Sequence, residues 1–191
     1  MAEDNKPKLK LIQGSHHSEI WIASVRIFVA PQDIPPFIVD AIAEEEDTYL
    51  VLSADPEVQE TKEDPARLMA ELLKTYPLNP GSVILTGRHP LQLLAIVHDL
   101  NQEPSWKEEW IASALDKIFQ ETENRKLRSI ALPMLGTVHG SLDKQRFLVL
   151  LQEALQRSSP KHLAQLWLMV PAGTTREVLE MLASILQKSL T

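Results

Sequence analysis

The stretch Ser129–Gly140, SIALPMLGTVHG, holds the residues best spaced for binding chemistry. A run of apolar and small residues ends at Met134. Gly136, Thr137, Val138, His139 and Gly140 follow, and a helical pattern starts at Ser141. Two glycines let a backbone turn tightly and approach a ligand closely. The N–H groups around Thr137, Val138 and His139 would then face an anion, backed by the positive end of the next helix. A loop that only reverses the chain would use the same glycines, so both readings stand. His139 likewise either touches a phosphate or faces water.

Other reactive side chains are less well placed. His98 falls inside an apolar run and reads as a hydrogen-bonded core or pocket-floor residue. His16 and His17 are adjacent in a polar turn, without the partner spacing of a metal site. The chain has no G-x-S-x-G elbow and no cysteine, which argues against a serine hydrolase of that type, a disulfide framework and thiolate metal ligation. No metal and no cofactor are expected.

Composition narrows the partners. With 44% hydrophobic and 24% charged residues over 191 positions, the chain has the make-up of one globular domain, taken as 1–191. A formal charge of −7 disfavours a nucleic acid polymer, whose binding needs a basic face. A small anion held by backbone amides is still allowed. No apolar run approaches the roughly 20 residues of a membrane span. The polar start, MAEDNKPKLK, lacks a signal-peptide pattern, and a cytoplasmic protein is the expectation. A homo-oligomer is compatible with all of this.

The elements that must position the loop follow from periodicity. PKLKLIQGS and IWIASVRIFVAP read as two strands around a GSHHSE turn. PPFIVDAIAEEE reads as a short helix with Phe37, Ile38, Ala41 and Ile42 on one side, and DTYLVLSAD as a buried strand. Asp64 and Pro65 would open a helix carrying Leu68, Leu72, Leu73 and Tyr76. SVILTG and LLAIVHDL are strands joined by an HP turn. Ser105 and Glu108 have capping-box spacing before a helix that buries Trp110, Ile111, Ala114, Leu115 and Ile118. Trp106 and Trp110 would share one side of that helix. SIALPML is a strand, Ser141 opens a helix with Phe147, Leu148, Leu151 and Leu155, and QLWLMVPA is a last strand. Thr174 and Glu177 repeat the capping spacing before a helix with Val178, Leu179, Leu182 and Ile185. Strands alternating with helices predict an α/β sandwich on a largely parallel sheet.

From Gly81 to about Ala172 this order resembles the macro domain, the ADP-ribose-binding α/β/α module. Ser129–Gly140 is similar to that family's S-I-A-x-P-x-x-G-T-G-x-x-G loop over the diphosphate, and Val97-His98 to its I-x-H strand. The resemblance implies a three-layer α/β/α sandwich with a mixed, largely parallel central sheet, and ADP-ribose or a related nucleotide as ligand. Upstream, VAPQDIPPFIVDAI resembles the family's Gly-Asp-Ile-Thr segment. That match implies Asp33 as acceptor for the adenine amino group, with Ile34 supporting the ring; from the residues alone, Asp33 equally caps a helix. The family's N-A-A-N strand end would fall at Ser53–Asp55, implying Asp55 near the distal ribose. Two departures stand out. PEVQETKEDPAR, with no glycine and four acidic residues, replaces a glycine-rich loop, and Pro171-Ala172-Gly173 replaces an adenine-stacking aromatic. Binding without catalysis is therefore expected. The alternatives are a macro-like scaffold for protein interaction or assembly, and an ADP-ribosyl hydrolase using Asp55 as a carboxylate base.

Overall fold

The computed structural model describes residues 20–33, 38–52 and 77–188. In chain order the elements are β1 Ile20–Ile22, β2 Val25–Pro31, β3 Ala41–Asp47, β4 Val83–Thr86 and β5 Leu91–His98. Then come α1 Glu108–Asn124, β6 Ser129–Pro133, α2 Lys144–Ser158, β7 Gln165–Val170 and α3 Thr175–Lys188. The sheet runs β1-β2-β7-β6-β3-β5-β4. The four inner pairings are parallel, and the two edge pairings, β1–β2 and β4–β5, are antiparallel. This is an α/β sandwich on a mixed, largely parallel sheet.

The three helices among the described residues lie side by side on one face of the sheet, α1 towards β5 and α3 towards β2. Each contributes an apolar stripe. Ile111, Ala114, Leu115, Ile118 and Phe119 of α1 are buried, as are Phe147, Leu148, Leu151 and Leu155 of α2 and Val178, Leu182 and Ile185 of α3. They join Ala41, Ala43, Leu93, Ala95, Ile130, Leu132, Leu166 and Leu168 from the sheet in one core. Burying each of the larger side chains contributes about 1.5–3 kcal/mol. Across the starts of α1 and α2, Arg146 donates to Glu108, and these hydrogen bonds hold the Glu108 carboxyl below its usual range.

Four expectations are corrected. IWIASVRIFVAP is not one strand; it folds on itself as β1 and β2 about Ala23-Ser24, with Ala23 in the left-handed region at φ 52°. The helix expected over 35–46 is a strand from Ala41 onward. Alanine and glutamate favour helix locally, but β3 lies between β5 and β6, and pairing on both sides overrides that preference. The expected strand DTYLVLSAD contributes only Asp47, the last residue of β3. Residues 48–52 form a turn, because both Asp47 carboxylate oxygens accept amide N–H groups there. Trp106 does not share a helix with Trp110; it precedes α1 and forms an isolated bridge to His98. His16, His17, PKLKLIQGS, the end of DTYLVLSAD and the helix expected from Asp64 lie outside the described residues.

Candidate functional site

The loop after β6 answers why two glycines sit four apart. Gly136 has φ +75°, and a Cβ there would lie 2.4 Å from Cδ1 of Ile111 on α1. A Cβ on Gly140 would lie 2.5 Å from the Gly136 carbonyl oxygen and 3.0 Å from the Trp106 ring. Gly136 is thus favoured by its positive φ and its approach to α1, and Gly140 by the backbone carbonyl and Trp106 ring beside it, independently of any ligand. The Gly136 carbonyl accepts from the Leu142 N–H at 3.1 Å, closing the loop before Asp143 caps α2 by accepting from the Arg146 N–H at 3.0 Å. The cap is Asp143, not the expected Ser141.

The loop's amides divide into two groups. Gly136 N–H donates to Glu45 Oε2 at 2.9 Å, and Thr137 N–H donates to the Met134 carbonyl at 3.1 Å. Val138, His139 and Gly140 N–H meet no acceptor among the described residues. The other oxygen of Glu45 is hydrogen-bonded to His98 Nε2, and His98 Nδ1 lies 3.4 Å from the Ser105 hydroxyl. Ser105 therefore turns to His98 and does not cap α1, whose N-cap is Lys107. The His98 and Glu45 side chains are 2% and 7% exposed, so the bridge is built into the fold. The His139 ring meets His98 edge-on, with centroids 6.4 Å apart.

A cleft of about 330 Å³ opens beside this bridge, at the carboxyl ends of β2, β3, β6 and β7. Ala41 and Ala43 point into the core, which turns Ile42 and Glu44 to the face away from the helices. Glu44, Glu45, Met134, Val138, His139 and Met169 are among the lining residues, with Gln32 at one end. The place is the one where ligands meet open parallel sheets, beyond the strands' carboxyl ends. No family model and no curated protein matches the sequence. Solved structures do match. The Oceanobacillus iheyensis macrodomain with ADP superposes at TM-score 0.66 and 15% identity, covering 90% of this chain and 96% of that one. The macrodomain of Thermus aquaticus DarG superposes at TM-score 0.56 and 20% identity, covering 76% and 98%. The chain has the macrodomain fold.

On this macrodomain fold the residues expected from sequence are only partly brought together. Val138 and His139 line the cleft, and Gly136, Thr137 and Gly140 shape the loop beside it. Asp33 is exposed in the turn after β2, next to Gln32, whose N–H donates to the Val170 carbonyl at 2.8 Å. Ile34 and Asp55 lie outside the described residues. His98 is the buried, hydrogen-bonded strand residue that its apolar neighbours suggested. Glu44 and Glu45 were missed. The available signal was the run EEED, an odd accumulation of charge directly after the apolar IVDAIA.

Asp47 fixes the far lip of the cleft. It is fully buried, and Oδ1 accepts from Tyr49 N–H at 2.6 Å while Oδ2 accepts from Val51 and Leu52 N–H at 3.0 and 2.9 Å. Asp47→Ala removes that acceptor from three amides and is expected to cost about 2 kcal/mol of stability. Faster hydrogen exchange at Tyr49, Val51 and Leu52 should accompany it; an unchanged urea midpoint would mean that water replaces the carboxylate.

Proposed function

We propose that the domain binds ADP-ribose or a related nucleotide in this cleft. One observation carries the reading: the cleft is lined by Val138 and His139, whose N–H groups, like that of the adjoining Gly140, meet no acceptor among the described residues. Free backbone N–H groups before a helix are ready donors to phosphate oxygens. In this reading the loop from Gly136 to Gly140 holds phosphate, and Asp33 with Ile34 receives the base at the Gln32 end. Asp55, which lies outside the described residues, stays the residue expected near the distal ribose. Oceanobacillus macrodomains solved with ADP and with ADPR supply the ligand class. Binding is the activity proposed, not turnover. Calorimetry with ADP-ribose should give saturable heat, and the ligand should shift the amide resonances of Val138 to Gly140. Silence at millimolar ligand would remove the reading.

A second reading, a macro-like scaffold for protein interaction or assembly, is favoured by the Glu45 carboxylate already seated on Gly136. A like charge about 4 Å from a phosphate costs about 4 kcal/mol at an effective dielectric constant of about 20. Tyr49, Leu50, Val51, Leu100 and Val138 are also exposed at this end of the sheet, and apolar residues gathered on a surface mark interaction sites. A silent titration together with a dimer or larger species in light scattering would select the scaffold.

A further inference from the structure

We propose that Glu45 is the positioning residue of the phosphate loop: its carboxylate, locked by His98, holds the loop so that the Val138 to Gly140 amides face the cleft before any ligand arrives. The proposal rests on the nucleotide reading above and deepens it. By the period of β3, Glu45 follows Ala41 and Ala43 on the helix side, where the strand ends beside the loop. One carboxylate oxygen accepts from Gly136 N–H at 2.9 Å, and the other is hydrogen-bonded to His98 Nε2. His98 is held in turn, with Nδ1 3.4 Å from the Ser105 hydroxyl.

The other hydrogen bonds of the loop are local. Thr137 donates from its N–H and Oγ1 to the Met134 carbonyl at 3.1 and 2.7 Å, and Leu142 N–H donates to the Gly136 carbonyl at 3.1 Å. These shape the turn without tying it to the rest of the sheet. Among the described residues, the bond from Gly136 to Glu45 joins residues 135–142 to a different strand. Together with the bond from Leu142 it fixes the peptide planes on both sides of Gly136, where the chain turns at φ +75°. The His98 and Glu45 side chains are 2% and 7% exposed, so a shift of the loop would leave a carboxylate oxygen stranded away from water. An unsatisfied buried acceptor is costly, and that cost gives the bridge its hold. A loop set before binding spares the ligand the entropy of ordering it.

Calorimetry with ADP-ribose on the unsubstituted chain, Glu45→Asp and Glu45→Gln tests this, with thermal melts confirming that each variant folds. The aspartate side chain keeps the charge but is one methylene too short to reach Gly136 and His98 together. Glutamine keeps the length, accepts from Gly136 through its oxygen and offers its amide to His98. Glu45→Asp should therefore weaken ADP-ribose binding about tenfold, the equivalent of one hydrogen bond, and Glu45→Gln should bind at least as tightly as the unsubstituted chain. A residue acting through its charge alone would leave Glu45→Asp unchanged. Hydrogen exchange on the ligand-free, unsubstituted chain needs no variant to fold. There the Gly136 and Leu142 amides should exchange about tenfold more slowly than those of Val138 and Gly140, after correction for sequence. Equal exchange, Glu45→Asp binding as tightly as the unsubstituted chain, or Glu45→Gln weakened as much as Glu45→Asp overturns this inference and leaves the nucleotide reading intact. No heat from the unsubstituted chain overturns both.

Discussion

His98→Ala is expected to lower the unfolding free energy by about 3 kcal/mol or more, because it leaves the Glu45 carboxylate without its partner inside the fold. His98 ends β5 at 1% exposure, with one ring nitrogen on Glu45 and the other 3.4 Å from the Ser105 hydroxyl. After truncation the Gly136 N–H is the remaining partner of the Glu45 carboxylate among the described residues, and a void opens beside the His139 ring. Urea unfolding measures the loss. The decisive control is Glu45→Ala together with His98→Ala. Removing both side chains should recover part of the cost, with a coupling of at least about 1 kcal/mol. Independent, additive losses would mean that the two side chains do not stabilise the fold as a pair.

Gly136→Val should be nearly as damaging, and for a different reason. At φ +75° an L-residue pays about 1–2 kcal/mol in backbone strain. Its Cβ would also lie 2.4 Å from Cδ1 of Ile111 on α1, so the tip of that side chain must shift, which adds a smaller packing cost. The two contributions are separable. Ile111→Ala in the Gly136→Val background should relieve the clash but not the strain, so thermal melts would show partial rescue. Full rescue would assign the whole cost to packing, and no rescue would assign it to the backbone.

What the sequence could tell depended on how local each cause was. α1, α2 and α3 carry their own apolar stripes and short flanking turns, and all three appear where periodicity puts them. β5, β6 and β7 were legible as continuous apolar runs bounded by turn residues. β3 was not. Its alanines and glutamates favour helix, and its strand state comes from hydrogen bonds to β5 and β6, roughly 50 and 90 residues further along the chain. The capping motifs failed for a related reason: Ser105 had a better partner in His98, and Asp143 lay two residues beyond Ser141. The position of the candidate loop was visible as glycines between strand and helix. Its occupant was not, because Glu45 reaches Gly136 across 91 positions of sequence.

The four carboxylates closing β3 also bear on what happens before the chain has folded. A seven-residue strand destined for the middle of a sheet is ordinarily a hazard, since while unpaired it can template stacking with other copies. In such a stack, identical residues repeat every 4.7–4.8 Å along the fibril axis, so Glu44, Glu45, Glu46 and Asp47 would each face their own charge. Charges of this kind act as gatekeepers against aggregation. Alanines at 41 and 43 supply small core contacts while adding little to the stickiness of the nascent segment. The acidic end that shapes the mature cleft thereby keeps newly made chains apart until their native neighbours arrive.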